Sequence, residues 1–270
     1  LVDITLPTPY HADTAVRALE AGKHVIIEKP LALTLPEVDR MIAAADASGK
    51  FLLPAHVLRF WPEYSAIHDL VHSGQLGRPI LASSYRLSNL PQWAEWFKRP
   101  EMTGGAVFDM QIHELDFLNS LFGKPVQVFS QGAQEPNGSW NHVVTQLEYS
   151  DGVTTVSESS FSMPRDYPFS AGVRVLCERG TVEYAFRASG ANFQTGAKNY
   201  LVLHEPGKPD QPVSFTPGDA FENELAYFVN CVRAGKLPET VTAQDGRLAV
   251  QICQASLESL LTRQPVALAG

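Results

Sequence analysis

The first 55 residues alternate short apolar runs with segments of helical periodicity, and this alternation restricts the fold more than any other feature. The apolar runs are residues 1–6, 24–28 and 51–55, and the helical segments are residues 10–21 and 35–48. Continuous apolar runs are typical of parallel strands that helices cover on both faces. The order strand–helix–strand–helix–strand therefore predicts part of a doubly wound, Rossmann-type parallel sheet.

From residue 56 onwards, most strand-like runs follow one another without intervening helices. They are residues 80–87, 125–133, 140–149, 153–161, 171–177, 180–186, 199–204 and 211–216. Such a series predicts a large, mostly antiparallel open sheet. Helices that cover it are expected over residues 62–73, 103–123, 219–234 and 243–262, with a loop over residues 56–60. We thus expect an α/β part, residues 1–55, followed by an α+β domain, residues 56–270.

Composition excludes several classes of function. The net charge of −8, without a basic run, argues against nucleic acid as the main partner. No apolar stretch is long enough to span a bilayer, so no membrane association is expected. The three cysteines, Cys177, Cys231 and Cys253, are widely spaced and form no CxxC, which indicates free thiols in a reducing, cytoplasmic compartment.

The helix expected over residues 103–123 carries the first candidate site. Thr103 is a plausible N-cap and Gly123 a plausible end. Asp109, His113 and Asp116 follow i, i+4, i+7 and so share one helical face. A carboxylate one turn before a histidine can fix the tautomer of the imidazole. The alternative is a solvated surface pair.

The second candidate site lies where the parallel strands end. Lys29 closes the second strand, at the edge where such sheets bind ligands, and Pro30 permits a cis bond. Lys29 could hydrogen-bond a substrate hydroxyl or stay in solvent. Glu28 could contact a ribose or an amide, or pair with a cation. The segment 5–8, which includes Leu6 and Pro7, could touch a cofactor or be a proline-punctuated loop.

Other candidates are less specific. Arg59 could orient a polar substrate or bridge the two domains. Trp93, Trp96 and Phe97 could line a pocket or merely pack. Two histidines, at positions 68 and 72, are spaced i, i+4, but without an evident third ligand no metal site is expected.

Several of these stretches together resemble the Gfo/Idh/MocA oxidoreductases. Glu28-Lys29-Pro30 matches the EKP signature of that family, and Thr8-Pro9-Tyr10-His11 is similar to the family's TPxxxH loop. Arg59-Phe60 resembles its RF pair, and residues 104–116 resemble its GGGxxxDxGxHxxD helix. Residues 221–225 and 242–247 are similar to its closing segment. The matches are in family order and span nearly the whole chain.

The resemblance implies an enzyme that transfers a hydride between NAD or NADP and a hydroxyl or carbonyl of a sugar, polyol or related molecule. Carried over from the family, His113 is the general acid/base, Asp109 orients it, and Lys29 positions the reacting hydroxyl. The implied cofactor contacts are Leu6, Pro7, Thr8, His11, Glu28, Lys29 and Pro30. The implied substrate contacts are Arg59, Trp93, Trp96, Asp109 and His113. The family's open sheet serves as a subunit interface, so a homodimer or homotetramer is expected.

The sequence departs from the family pattern at two points, and each leads to a further expectation. Gln111 stands where the family often has a small residue, and it is expected to alter the pocket. The dinucleotide fingerprint GxGxxG is absent. Since the chain opens inside a strand without an initiator Met, we expect the natural protein to carry the fingerprint before Leu1. We also expect these 270 residues to bind NAD(P)H poorly.

Two alternatives use the same scaffold. A glycosidase or lyase that oxidises its substrate transiently would form no net NADH. A non-catalytic dinucleotide sensor would have no need to keep Lys29, Asp109 and His113 together, and His113→Ala would leave any turnover unchanged.

Overall fold

Two β-sheets organise the chain, and a long C-terminal helix packs against both. The computed structural model describes residues 1–92, 95–188 and 198–268. Within these ranges the architecture is a small parallel sheet followed by a large, mostly antiparallel one with covering helices. The expected fold class is therefore confirmed.

The parallel sheet contains β1 (Val2–Ile4), β2 (Val25–Glu28) and β3 (Leu52–Ala55), in that order. The connecting helices are α1 (His11–Glu20) and α2 (Leu35–Ser48). All four side chains of β3 are buried, as are three of the four in β2, which explains the unbroken apolar runs. Because all three strands run the same way, their carboxyl ends meet along one edge.

The second sheet is built from nine strands among the described residues. They are β4 (Pro79–Leu87), β5 (Pro125–Gln134), β6 (Trp140–Tyr149), β7 (Thr154–Ser160), β8 (Ser170–Cys177), β9 (Gly180–Arg187), β10 (Lys198–His204), β11 (Gln211–Pro212) and β12 (Val266–Ala267). Their spatial order is β11-β10-β9-β8-β4-β7-β6-β5-β12. The pairing is antiparallel except between β4 and β7.

Five α-helices in the described part of the chain accompany this sheet. They are α3 (Pro62–His72), α4 (Pro100–Thr103), α5 (Ile112–Phe122), α6 (Ala220–Ala234) and α7 (Ala243–Thr262). Asp219 caps α6, and Thr242 caps α7 in a reciprocal capping box. α7 reaches the parallel part through Gly246, where a Cβ would lie only 2.7 Å from Leu31 Cδ1.

The prediction of one continuous helix over residues 103–123 is wrong. α4 ends at Thr103, and Gly104 and Gly105 follow with φ of 71° and 67°. A π-helical segment, Val107–Gln111, then leads into α5. Thr103 is consequently no N-cap of α5; its Oγ1 accepts a hydrogen bond from the Gly105 N–H at 3.1 Å. Left-handed backbone favours glycine, and a Cβ at Gly104 would lie 2.6 Å from Phe108 Cβ.

Smaller differences concern the ends of the elements. The segment 56–60, expected as a loop, contains a 3₁₀ turn over Val57–Phe60. The strand expected over residues 211–216 is reduced to Gln211–Pro212. β12 was not predicted, because a two-residue edge strand leaves no periodic signal.

Candidate active site

The carboxyl edge of the parallel sheet faces the π-helical segment, and one lysine joins the two. Lys29 directly follows β2, and its peptide bond to Pro30 is cis. Its Nζ donates to Asp109 Oδ1 at 2.8 Å and to the Asp109 carbonyl oxygen at 2.7 Å. Both side chains are largely enclosed, with 13% and 20% of their surfaces exposed. Two candidates that lie 80 residues apart in sequence thus form one ion pair.

His113 lies near this pair without sharing its hydrogen bonds. The residue is half-buried, and its Nδ1 is enclosed with no hydrogen-bond partner in the described structure. Burial lowers the pKa of His113 well below its usual value, and the charges of Lys29 and Arg86 lower it further. His113 is therefore neutral at pH 7.

The structure does not show the expected contact between Asp109 and His113. Asp109 instead binds Lys29 through both its carboxylate and its backbone carbonyl. The physical reason is the π-helical segment, whose wider turn brings residues i and i+5 together. A spacing of four residues across it does not align side chains as it does in a regular α-helix.

Behind His113, a buried cluster forms around Asp116. The Arg59 Nε and Nη2 donate to its two oxygens at 2.9 and 2.7 Å. Arg59 also donates to the Thr240 carbonyl at 2.9 Å and lies 3.3 Å from Asp245 Oδ1. Burial opposes the charge of Arg59, but the adjacent Asp116 carboxylate outweighs this and raises its pKa. Arg59 thus joins separate segments of the chain. This is the bridging role that the sequence offered beside substrate binding.

The sequence analysis missed His56, which follows β3 and is 1% exposed. Its Nδ1 lies 3.6 Å from Asp116 Oδ2, too far for a good hydrogen bond. Burial lowers its pKa, so it is a second neutral imidazole near His113. Its position at the end of the third parallel strand was the available signal.

The loop after β1 holds two of the expected cofactor contacts, Thr8 and His11, in buried positions. His11 is 1% exposed, and its ring nitrogens lie 2.9 Å from the Pro30 carbonyl oxygen and 2.6 Å from that of Leu6. It links the two strand-end loops internally. Thr8 is also buried, whereas Leu6 is 47% exposed at the strand end.

Two carboxyl groups lie at the same edge in an environment that disfavours their charge. Burial raises the pKa of Glu28, although the neighbouring Lys29 opposes the shift. Glu28 Oε2 accepts from the Lys29 N–H at 3.2 Å. Glu224 on α6 is 3% exposed, and its Oε1 has no partner among the described residues. Burial, with the charge of Glu28 second, raises the pKa of Glu224 to about 8.

Gln111 does not face the pocket, contrary to expectation. It is fully buried, and its Nε2 donates to the Ser157 carbonyl at 2.9 Å. Its Oε1 accepts from the Thr145 hydroxyl at 2.8 Å. The long side chain therefore points into the large sheet and leaves the crevice unchanged.

The remaining aromatic and histidine candidates form stacked pairs of rings. Trp96 and Phe97 are half-buried and stack on each other with ring centroids 4.0 Å apart, while Trp93 lies outside the described residues. The rings of His68 and His72 also stack, at 4.1 Å. Residues 1–92, 95–188 and 198–268 contain no group of three or more side chains suited to hold a metal ion.

A cavity of about 670 Å³ lies beside Arg59 between α3, α5 and α6. Neither Lys29 nor Asp109 nor His113 lines it. The convergence of chemistry at the strand ends, and not cavity size, therefore identifies the candidate site. None of the described helices is long and apolar enough to cross a membrane.

Comparison with known proteins adds independent information. The family model GFO/IDH/MocA, an oxidoreductase family with an NAD-binding Rossmann fold, matches residues 1–56. The model of the GFO/IDH/MocA C-terminal domain matches residues 64–183. The two matches follow each other in the order of the two sheets.

Several curated proteins are similar over almost the whole chain. A scyllo-inositol 2-dehydrogenase (NAD(+)) from Bacillus subtilis is 26% identical, over 99% of this chain and 77% of its own length. A 1,5-anhydro-D-fructose reductase from Ensifer adhaerens is 25% identical, over 97% of this chain and 78% of its own length.

A solved structure shows the same fold. The aldose-aldose oxidoreductase from Caulobacter crescentus, complexed with glycerol, superposes with a TM-score of 0.86 at 24% identity. The match covers 99% of this chain and 78% of that one.

Proposed function

This chain belongs to the GFO/IDH/MocA family of oxidoreductases, and from that premise we propose that it transfers a hydride between NAD or NADP and a carbinol carbon of a polyol or sugar. The observation that carries the proposal is the Lys29–Asp109 ion pair beside a neutral His113, whose Nδ1 has no hydrogen-bond partner among the described residues. The substrate class is supported by the inositol dehydrogenase and anhydrofructose reductase among its relatives.

The crevice at the carboxyl ends of the parallel strands offers the apolar and polar groups that the nicotinamide end of such a cofactor requires. Leu6 offers an exposed apolar surface, while Glu28 and Lys29 offer polar groups at the adjacent strand end. Bound there, the nicotinamide would supply a carbon that accepts or releases hydride. The glycine turn that cradles a pyrophosphate does not occur in the sequence. We therefore assign only nicotinamide and ribose contacts to Leu6, Pro7, Glu28, Lys29 and Pro30.

Three residues would act on the hydroxyl proton and on the negative charge that develops at the reacting oxygen. As the carbinol carbon gives up hydride, the hydroxyl proton passes to His113 through Nε2, because Nδ1 is enclosed. Lys29 donates a hydrogen bond to the reacting oxygen and stabilises its developing negative charge. Asp109 holds the ammonium of Lys29 in place through two contacts. In this role Asp109 acts on Lys29 instead of orienting His113.

Several less direct assignments extend the proposal. Residues 1–55 would form the cofactor side and residues 56–270 the substrate side, with Trp96 on the pocket wall. A reducing cytoplasmic compartment agrees with the free thiols of Cys177, Cys231 and Cys253.

The open face of the large sheet is proposed as a homo-oligomer interface. Val144 and Tyr200 lie in one register row across it and are 36% and 48% exposed. Light scattering should show an oligomer that Val144→Glu/Tyr200→Glu converts to a monomer. Leu237→Glu, at an exposed apolar residue outside the strands, should leave the mass unchanged. A monomeric wild type would contradict the interface.

A substrate screen tests the function. The protein is incubated with inositols, aldoses and anhydrosugars, each with NAD⁺ and NADP⁺, while absorbance at the reduced-nicotinamide band is followed. Net reduced cofactor should accumulate with at least one polyol. His113→Gln should lower kcat by about 10²–10⁴-fold, whereas His72→Gln, on the exposed end of α3, should leave it unchanged. Unchanged turnover in His113→Gln would overturn the assignment.

A further inference from the structure

Gln111 is the last residue of the π-helical segment and hydrogen-bonds that segment to the large sheet. Its amide reaches two strands, donating to the Ser157 carbonyl on β7 and accepting from Thr145 on β6. We propose that Gln111 is a positioning residue, whose side chain fixes the backbone that presents Asp109 and His113 to the crevice. The inference rests on the proposed function, because it concerns how the same site is held.

The need for such a fixed point follows from the local backbone. Gly104 and Gly105 precede the segment in left-handed conformations, so the chain enters it through two residues without side chains. A π-helical turn is less favourable than an α-helical one and persists only where surrounding contacts support it. Gln111 lies between Asp109 and His113 in sequence and is the polar side chain that ties this turn to neighbouring strands.

Behind the Gln111 amide lies a buried cluster of three hydroxyls. Thr145 has one hydroxyl hydrogen and gives it to Gln111 Oε1 at 2.8 Å. Ser130 Oγ lies 2.8 Å from Thr145 Oγ1, and Ser256 Oγ on α7 lies 2.8 Å from Ser130 Oγ and 3.3 Å from Thr145 Oγ1. Because the Thr145 hydrogen is already used, Thr145 can only accept from these two serines. The cluster thus connects the Gln111 amide to β5, β6 and α7.

This buried cluster gives the glutamine a role that an apolar side chain of equal size could not take. A methionine would fill the space but remove the amide that accepts from the Thr145 hydroxyl and donates to the Ser157 carbonyl. Buried polar groups without partners are unfavourable, so the segment would shift to recover hydrogen bonds. A shift of about 1 Å in a catalytic group can change turnover about 100-fold. Asp109 and His113 flank the shifted residue, so both would move.

Three variants separate positioning from general stability. Gln111→Met removes both hydrogen bonds at similar volume, and Thr145→Val removes only the hydroxyl donor. Ser159→Ala is the matched control, because the Ser159 hydroxyl is also fully buried on β7 but has no partner in the described structure. All measurements are made well below the unfolding temperature of each variant.

The first readout does not depend on activity. Hydrogen exchange of backbone amides is measured in this chain without cofactor. Gln111→Met should accelerate exchange at residues 107–113 at least 10-fold and leave β8 and β9 within 2-fold. Thr145→Val should act at the same amides more weakly, and the double variant should be no worse than Gln111→Met alone. Equal acceleration throughout the chain, or none at residues 107–113, would overturn the proposal.

The second readout is the catalytic profile of the protein. Gln111→Met should lower kcat at least 10-fold, keep the KM for the nicotinamide cofactor within 2-fold and displace the acid limb of the kcat/KM profile. Ser159→Ala should match the wild type in all three. An unchanged kcat and pH profile in Gln111→Met would also overturn the positioning role. If the wild type itself transfers no hydride, the proposed function fails and the exchange measurement alone decides on Gln111.

Discussion

Replacing the buried Glu224 by Gln should make the protein more stable at alkaline pH, which is the opposite of most core substitutions. The side chain is 3% exposed, and Oε1 has no hydrogen-bond partner in the described structure. Burial and the negative charges of Glu28, Asp3 and Asp116 raise its pKa from 4.5 to about 8. In the unfolded chain the same group titrates near its ordinary value.

The size of the stability change follows from the difference in proton binding between the folded and unfolded states. Between pH 4.5 and 8 the folded state holds a proton that the unfolded state has lost, so stability falls as pH rises through this window. Each pH unit corresponds to about 1.4 kcal/mol, so the whole window amounts to about 5 kcal/mol as an upper limit. Gln keeps the size and the uncharged state at every pH. We therefore expect Glu224→Gln to raise the unfolding free energy by about 3–4 kcal/mol at pH 8 and by less than about 1 kcal/mol at pH 5.

Urea unfolding, followed by tryptophan fluorescence at pH 5 and pH 8, measures this difference. Glu222→Gln is the control, because Glu222 is exposed two residues earlier in the first turn of α6. It should change stability by less than about 1 kcal/mol at both pH values. The reasoning is refuted if Glu224→Gln is no more stable than the wild type at pH 8, or if its gain is the same at both pH values.

Three further predictions concern other parts of the structure. Arg59→Leu should lower the unfolding free energy by about 3–5 kcal/mol in urea titrations, because it leaves Asp116 buried without its guanidinium. Arg78→Ala, which breaks an exposed pair with Glu178, should lower it by less than about 1 kcal/mol, and equal losses in the two variants would contradict the argument. Gly104→Ala should lower thermal stability more than Gly138→Ala, since both have positive φ but only the former places a Cβ against Phe108; similar melting temperatures would count against this. NMR titration should find His113 still neutral at pH 6, and Lys29→Met should raise its pKa by removing a positive charge, whereas Lys50→Met should not. Titration of wild-type His113 near 6.5 would contradict the effect of burial on this histidine.

The fold could be predicted from the sequence because its elements have strong local signals. β2 and β3 read as unbroken apolar runs since both of their faces are covered, and their ends differ from prediction by one residue. The capping box of Thr242 and Asp245 is likewise encoded within four residues. The pairing of β4 with β7 has no such signal, because a parallel contact between strands far apart in sequence depends on the whole sheet.

The candidate site was only partly predictable for the same reason. Lys29 and Asp109 were both identified, but their ion pair spans 80 residues and required the tertiary structure. The Asp109–His113 pair was inferred from α-helical spacing, and one π-helical turn was enough to separate these side chains. Gln111 shows how a long polar residue can be mistaken for a pocket residue when its partners lie on distant strands.

In the proposed mechanism, the electrostatics of the crevice would let one lysine serve two opposing requirements. In the free protein, Lys29 and Asp109 largely neutralise each other, and His113 is neutral because burial and Lys29 both disfavour its protonation. A proton on His113 would therefore be unfavourable in the free protein. In the proposed reaction, negative charge on the reacting oxygen would give the same proton a nearby counter-charge, so proton transfer would be favoured as the hydride leaves. Removing Asp109 would strengthen the field of Lys29 on both groups, stabilising the alkoxide while further weakening His113 as a base. Asp109→Asn should therefore move the acid limb of the kcat/KM profile to lower pH, and an unchanged limb or a shift to higher pH would contradict this electrostatic coupling.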